Sequence, residues 1–149
     1  MMALRDSISG REFDKFVNTA DGTALRVATV AGGSVESNLV TASGSADILS
    51  AETILINKQT LSGKTGSWFV YNAGLTDINV EMQCAYVSGA ATYVAGGTNV
   101  DWDKVGSTQV VGTTETKHIP FNNVYRFVAL TANTGGADSD GVTAELYAL

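Results

Sequence analysis

The fold class of this chain is clearest in the stretch at residues 78–86, Ile78-Asn79-Val80-Glu81-Met82-Gln83-Cys84-Ala85-Tyr86. Every second residue of this stretch is apolar, and three of the four residues between them are polar. A β-strand turns alternate side chains to opposite faces of its sheet, so this period of two gives one apolar face and one polar face. A helix would scatter the same apolar residues around its whole circumference. The stretch therefore predicts a half-buried strand.

Outward from this stretch, the chain continues as short segments rich in Val, Ile, Thr and Tyr, separated by turns that contain Gly or Asn. These residue types favour strands and turns respectively. Strands that recur about every 8–12 residues with turns between them predict a sandwich or barrel. No segment combines a cap, a 3.6-residue period and enough length for a helix, except for a single turn around residues 9–16. The further predicted strands are 25–30, 52–57, 67–72, 91–95, 102–105, 109–111, 124–131 and 142–149.

Size and composition set the class of protein. The chain has 149 residues, of which 44% are hydrophobic and 16% charged, which predicts one folded domain and argues against a disordered chain. Its single cysteine, Cys84, cannot form an intramolecular disulfide. No stretch approaches the roughly 18 apolar residues of a membrane helix, and the first residues lack the apolar run of a signal peptide. We therefore expect no membrane partner.

The charge distribution argues against nucleic acid as a direct partner. Nine basic and fifteen acidic residues give a net charge of −6 at pH 7. Affinity for nucleic acid comes from clustered Lys and Arg that displace counterions, and here the basic residues are scattered along the chain.

Two regions lack a clear strand pattern. Residues 31–50 are small and polar, and we interpret them as a long loop. Residues 1–24 carry Phe13, Phe16 and Val17 without alternation. These residues are either a frayed terminus or an extended N-terminal arm whose apolar side chains, Phe13, Phe16 and Val17, dock on a neighbouring subunit, since exposed aromatic residues need a partner. The predicted organisation is an arm over 1–24 and a β-sandwich domain over 25–149.

Two short motifs suggest ligand sites, but both are incomplete. The stretch LSGKT at 61–65 resembles the end of a phosphate-binding loop, yet the position that needs the first glycine holds Lys58. The stretch DSDG at 138–141 resembles part of a calcium loop, but Glu145 is too near to close it. We interpret both as turns, with weak calcium binding as an alternative for the second.

Residues that could carry catalysis or hold a metal are few. A zinc site needs three or four ligands, and Cys84 and His118 are the only cysteine and histidine. Cys84 lies on the apolar face of its predicted strand, which indicates a core residue. Asp101 and Asp103 could share acid–base work only across a cleft, and nothing in the sequence indicates one. The sequence therefore predicts no catalytic residues, no metal and no cofactor, and the chain is not expected to be an enzyme.

The aromatic residues could serve either as core or as a sugar-binding platform. Most of them fall on predicted inward faces, which favours the core; they are Trp68, Tyr71, Tyr86, Tyr93, Trp102, Tyr125 and Tyr147. Trp102 lies between Asp101 and Asp103 at a presumed turn, and we expect it to be the exposed one. These three residues are the candidate ligand-binding set.

Two parts of the chain resemble known proteins. The stretch EFDKFVNTADGTALRV at 12–27 resembles the N-terminal arms of small structural proteins from tailed bacteriophages. The half from residue 93 to 149 is similar to jelly-roll or discoidin-like sandwich domains of phage virion accessory proteins. It carries GTNVDWDKVG at 97–106, IPF at 119–121, YRFVALT at 125–131 and GVTAELY at 141–147. The resemblance implies an all-β, antiparallel, jelly-roll-like β-sandwich in which Trp102 closes one end of the core and Pro120 opens a strand.

The resemblance also implies a function. The expected protein is a non-enzymatic virion structural subunit, a capsid decoration, head-fibre or tail-accessory protein, located in the virion. Its partners would be other virion proteins and further copies of itself, with a trimer favoured. The alternative is a carbohydrate-binding or adhesive β-sandwich module centred on Trp102.

Overall fold

A computed structural model describes residues 39–149 of the chain. Within these residues the secondary structure consists of eight β-strands without a helix, as the period-two pattern predicts. The strands are β1 (Val40–Ile48), β2 (Thr53–Thr60), β3 (Gly66–Asn72), β4 (Ile78–Ala85), β5 (Asp103–Val111), β6 (Glu115–Phe121), β7 (Phe127–Thr134) and β8 (Ser139–Ala148).

The strands form two four-stranded antiparallel sheets that pack face to face. The first sheet has the order β1-β8-β3-β6 and the second has the order β2-β7-β4-β5. Successive strands alternate between the sheets, except for β4 and β5, which are neighbours in the second sheet. This is the arrangement of an eight-stranded jelly roll. The expected all-β sandwich is confirmed. The predicted arm at 1–24, its anchors Phe13, Phe16 and Val17, and the predicted strand at 25–30 lie outside the described residues.

The core between the sheets is built from the inward residues of the alternating strands. Residues 78–84 contribute Ile78, Val80, Met82 and Cys84, so the apolar face predicted for this stretch is the buried one. Trp68 is fully buried, and its indole Nε1 lies 3.2 Å from Sδ of Met82 in the facing sheet. β8 adds a second alternating stripe of Val142, Ala144, Leu146 and Ala148.

The predicted loop at 31–50 is wrong over residues 40–48, which form strand β1. Small residues at alternate positions face the second sheet, including Ala42, Gly44 and Ala46. A Cβ atom at Gly44 would lie 2.0 Å from the backbone oxygen of Leu55, so this strand crosses β2 too closely for a side chain. The inward residues are small because of this close approach, and small residues give a weak hydrophobic signal.

Strand β6 was not predicted either, because its outward residues are polar and it carries a proline. β6 lies at the edge of the first sheet and pairs only with β3, and an edge is where a sheet tolerates proline. Pro120 therefore does not open a strand: it is the residue before the last one of β6, opposite Ser67.

Strand β5 corrects the prediction of two separate pieces at 102–105 and 109–111. It runs unbroken over Asp103–Val111 and includes Gly106, which has a φ of 69°. The pairing with β4 shifts between Val80 and Met82, so β5 bulges at this glycine. The salt bridge between Lys104 and Glu81, 2.9 Å long, spans the two strands at the bulge.

The predicted strand at 91–95 is also wrong, because these residues belong to a long connection between β4 and β5. We call residues 86–102 the cover loop. Three of its apolar residues pack on the outer face of the second sheet and form part of a second hydrophobic cluster there. The cluster consists of Ala90, Tyr93 and Trp102 from the cover loop, Ala85, Phe127 and Ala129 from the sheet, and Ile54 at its margin.

Polar contacts attach the cover loop to β2. The Asn57 side chain donates from Nδ2 to the backbone oxygen of Tyr93 and accepts at Oδ1 from the backbone N–H of Tyr93, both at 3.2 Å. The Lys58 ammonium donates to the backbone oxygen of Ala90 and lies 4.3 Å from the centre of the Phe127 ring. The chain itself therefore covers Ala85, Phe127 and Ala129 on the outer face of the second sheet, while Val110 of β5 remains exposed.

Candidate functional site

The outer face of the first sheet differs from that of the second, because it carries aromatic side chains that nothing in residues 39–149 covers. β3 turns Trp68, Val70 and Asn72 toward the core, so Phe69 and Tyr71 must point outward. Tyr147 on β8 and His118 on β6 point the same way. We call the surface formed by Phe69, Tyr71, His118 and Tyr147 the aromatic face.

The strand register arranges this surface in three rows across the sheet. The middle row contains Ser43, Glu145, Phe69 and His118, in the order of their strands. One flanking row contains Thr41, Tyr147, Ser67 and Pro120, and the other contains Ser45, Thr143, Tyr71 and Thr116. Aromatic residues thus occupy the centre, with Ser and Thr around them.

The rings of the aromatic face contact one another. Phe69 and His118 stack with their centroids 4.8 Å apart and their planes 10° from parallel, and Tyr147 meets Phe69 edge-on at 6.0 Å. Phe69, Tyr71 and Tyr147 nevertheless remain 37%, 41% and 43% exposed. An aromatic cluster that is ordered by its own contacts and still open to solvent is typical of a binding surface.

Polar side chains fix the edges of the cluster. His118 Nε2 lies 2.9 Å from the Ser67 hydroxyl, and the Tyr147 hydroxyl donates to Glu145 at 2.8 Å. This hydrogen bond and the negative charge of Glu145 raise the pKa of Tyr147 above its usual value. Tyr147 therefore remains a neutral hydrogen-bond donor at physiological pH.

A shallow groove of about 390 Å³ adjoins the aromatic face on the β1 side. It is lined by Thr41, Ala42, Ser43, Glu145 and Tyr147. The lining offers hydroxyl and carboxylate groups beside one exposed ring, so it can accept a polar ligand or the polar rim of a partner.

Trp102, expected to be the exposed aromatic residue, is buried. It is 8% exposed, its ring meets Tyr93 edge-on at 5.6 Å, and its Nε1 donates to the Ala91 backbone at 2.9 Å. Asp101 precedes β5 in a turn, and Asp103 is the exposed first residue of the strand. The three residues are neighbours, but the Trp102 ring offers no open face for stacking. Trp102 also belongs to the cover loop cluster and not to the core between the sheets.

The other aromatic residues divide between core and surface. Trp68, Tyr93 and Tyr125 are buried, as predicted. Tyr71, Tyr86 and Tyr147 are exposed instead. The exposure of Tyr147 could have been predicted from the sequence, because Tyr147 alternates with the inward residues Leu146 and Ala148.

The first motif suspected of ligand binding is a turn, since residues 61–65 connect β2 to β3. The turn predicted for the second motif, at 138–141, is wrong except at Asp138: the connection between β7 and β8 covers 135–138, and residues 139–141 begin β8. Within residues 39–149, no three His, Cys, Asp or Glu side chains come close enough together to hold a metal ion. Asp138 and Asp140 are exposed, while Ser139 between them is buried and donates to Asn72 at 2.8 Å.

Cys84 and His118 do not form a nucleophile pair. Cys84 is buried in the core, and burial raises the pKa of its thiol. His118 lies on the outer face of the opposite sheet. A thiol with a raised pKa is a poor nucleophile, so Cys84 acts as a small core residue.

Further depressions in the described part of the chain include a cleft and a wider groove. A cleft of about 150 Å³ opens between the edge strands β5 and β6, where Met82, Val105 and Ile119 are among the lining residues. A wider groove of about 400 Å³ lies at the end of the sandwich, beside Tyr86, Val124 and Arg126. Neither brings together groups that could act as an acid–base pair or as a nucleophile with its base.

No protein-family model matches the chain, and no curated protein sequence matches it significantly. Among solved structures, the chain is similar to the crystal structure of PirA, with a TM-score of 0.49 and 20% sequence identity. The similarity covers 70% of this chain and 92% of PirA. It carries no information about function at this level. Over residues 39–149 there is no helix long and apolar enough to cross a membrane.

Proposed function

We propose that this chain is a non-catalytic structural subunit of a tailed-bacteriophage virion, either a capsid decoration, a head-fibre or a tail-accessory protein. The observation that carries the proposal is the aromatic face, a binding surface on a rigid sheet, taken with the resemblance of residues 12–27 to phage structural proteins. The jelly roll supplies a rigid module, and residues 1–24 supply the attachment arm through Phe13, Phe16 and Val17.

The distribution of titratable groups supports a binding role. The groups whose pKa is shifted in the described residues are Glu81, Cys84, Tyr86, Tyr93 and Tyr147. Tyr147 lies on the first sheet, whereas Glu81 and Cys84 occupy opposite faces of β4 in the second. Catalytic sites gather such groups in one concave pocket, whereas Tyr147, on the aromatic face, has none of the other four groups beside it.

The test is to find the protein on the particle. Gradient-purified virions of the phage that encodes the chain should contain its peptides in stoichiometric amount by quantitative mass spectrometry. A phage that carries Phe13→Ala and Phe16→Ala should yield particles depleted of the protein, while Val124→Ala, a substitution of an exposed apolar residue at 67% exposure, should leave its amount unchanged. Virions without the protein would refute the proposal.

A second candidate, a carbohydrate-binding or adhesive module, is favoured by one observation. Tyr147, Glu145 and the hydroxyl groups of Thr41 and Ser43 line a groove beside exposed rings, and sugars bind to rings flanked by such polar groups. A glycan array should then show specific binding that Tyr147→Ala abolishes. Trp102→Ala is the informative comparison, because the sequence predicts Trp102 as the centre of the ligand-binding set. If no glycan binds, the virion structural role remains the single candidate function.

A further inference from the structure

The aromatic face has a property that composition alone does not show: its middle row is self-complementary. Glu145 and His118 flank Phe69 on the two neighbouring strands, one on each side, in register. A two-fold axis that runs parallel to β3, between two facing sheets, exchanges the two sides of the row. It brings Glu145 of each copy opposite His118 of the other, and Phe69 opposite Phe69.

The flanking rows are compatible with the same axis. Tyr147 lies opposite Pro120 of the second copy, and Thr143 lies opposite Thr116. Aligned sheets pack about 10 Å apart with their strands rotated by roughly 30°. A rotation of this size about Phe69 displaces the middle row less than the flanking rows, because the middle row lies nearest to Phe69. Each Glu145 therefore stays opposite His118 of the other copy.

The alternative two-fold axis is disfavoured by charge. An axis perpendicular to the strands would place Glu145 opposite Glu145 and His118 opposite His118. Carboxylates that face each other across a desolvated interface repel. Isologous contact through the same patch on both copies is the commonest way in which homo-oligomers close.

We infer that the aromatic face binds a second copy of this chain, sheet against sheet, around a two-fold axis parallel to β3. The inference rests on the proposed function, in which the chain acts by binding, and it names the partner of the aromatic face. It replaces the expected trimer by a dimer at this surface. The strands of the second sheet offer no equivalent set of exposed aromatic residues, because the cover loop packs on Ala85, Phe127 and Ala129.

The size of the contact predicts its strength. Three overlapping strands of about five residues cover a footprint of roughly 15 Å by 17 Å on each copy. An interface of this size belongs with weak and transient contacts, with a dissociation constant on the order of micromolar or weaker. Such a dimer forms where copies are concentrated, for example on the surface of a particle.

A charge exchange tests the pairing. The chain in its full length is studied by sedimentation equilibrium over a concentration series, together with NMR spectra of the labelled protein at the same concentrations. We expect His118→Glu and Glu145→Lys to raise the dimer dissociation constant at least about tenfold each. The double variant should restore it to within about threefold of the original, because each introduced Glu then faces an introduced Lys.

Controls separate this result from unfolding and from other surfaces. All three variants change exposed side chains, so thermal unfolding should shift only slightly even though surface contacts of His118 and Glu145 are lost. The concentration-dependent shifts should cluster on Ser67, Phe69, Tyr71 and Tyr147, and Val110→Ala on the second sheet should change nothing. A monomer at all concentrations, an oligomer indifferent to the exchange, or a monomer that binds glycans through Phe69 would each overturn the inference.

The outcome is distinguishable from that of the proposed function. If the peptides occur in virions and the purified chain does not associate through Phe69, only the dimer fails. If the dimer responds to the charge exchange and virions lack the protein, only the virion role fails.

Discussion

At the scale of single residues, Gly44 shows how closely the two sheets approach each other. It lies in the middle of β1, where an added Cβ would collide with the Leu55 backbone oxygen at 2.0 Å and meet Ile56 Cγ1 at 3.1 Å. Because the neighbour is backbone, Gly44→Ala should lower the free energy of unfolding by about 2–3 kcal/mol or more. Gly89→Ala has nothing within 4 Å and should change it by less than about 0.5 kcal/mol. Urea unfolding of both variants measures the difference, and equal stabilities would contradict the close approach.

Asn72 is a buried polar residue that connects four parts of the chain. Its Nδ2 donates to the backbone oxygens of Thr76 and Val111 at 2.8 and 3.2 Å. Its Oδ1 accepts from the Gly74 N–H at 3.0 Å and from Ser139 at 2.8 Å. Every hydrogen-bonding site of the amide is therefore used, which is how a fully buried amide becomes favourable.

The substitution Asn72→Asp should lower the free energy of unfolding by about 3 kcal/mol at neutral pH. The new carboxylate would face two carbonyl oxygens and could donate to neither. The loss should shrink as the pH falls, because protonation returns one donor and removes the buried charge. Urea unfolding at several pH values checks this, with exposed Asn122→Asp as the matched control. A loss of the same size at acid and neutral pH would argue against this hydrogen-bond arrangement.

At the scale of elements, the cover loop should be a stability element and not a ligand site. Trp102→Ala removes a ring that packs on Tyr93 and shields Phe127, so the free energy of unfolding should fall by about 3 kcal/mol. Amide hydrogens in 86–102 should exchange faster, while those in β3 and β8 keep their relative protection. Tyr147→Ala, on the aromatic face, should cost less than about 1 kcal/mol. A Trp102→Ala protein as stable as Tyr147→Ala would show that the cover loop does not shield the sheet.

The elements that could be predicted from the sequence are those with large alternating apolar residues. β4 and β8 meet this condition because Ile78, Val80, Leu146 and their neighbours fill the space between the sheets. β1 could not be predicted, since close approach to β2 restricts its inward residues to sizes that carry little hydrophobic signal. The sequence predicts a strand at 91–95 because apolar residues in a covering loop show the same pattern as those in a strand.

The candidate site was harder to predict for a related physical reason. The aromatic face depends on which residues of three separate strands lie side by side, and register is set by long-range pairing and not by local pattern. Phe69 and His118 are 49 positions apart in the sequence and 4.8 Å apart in space. Trp102 looked exposed because it stands between two aspartates, and it is buried because the loop folds back on the sheet.

At the scale of the whole molecule, the first and last strands of the described sandwich pair with each other. Val40 of β1 lies opposite Ala148 of β8, and residues 40–149 form one compact unit. The two ends of this unit are therefore neighbours across a sheet, about 5 Å apart at the backbone. A chain whose ends are this close can be joined and opened elsewhere without changing its strand pairing.

A circular permutant of residues 40–149 tests this topology. Leu149 is joined to Val40 by a short glycine linker, and the new ends are placed between Gly135 and Gly136, whose surroundings are open. Circular dichroism should report the same strand content as the linear 40–149 fragment, and cooperative unfolding should weaken by no more than about 2 kcal/mol. A second permutant with its ends between Val80 and Glu81, inside a strand that is paired on both sides, should not fold. If the linear fragment folds and the first permutant does not, the pairing of β1 with β8 is wrong.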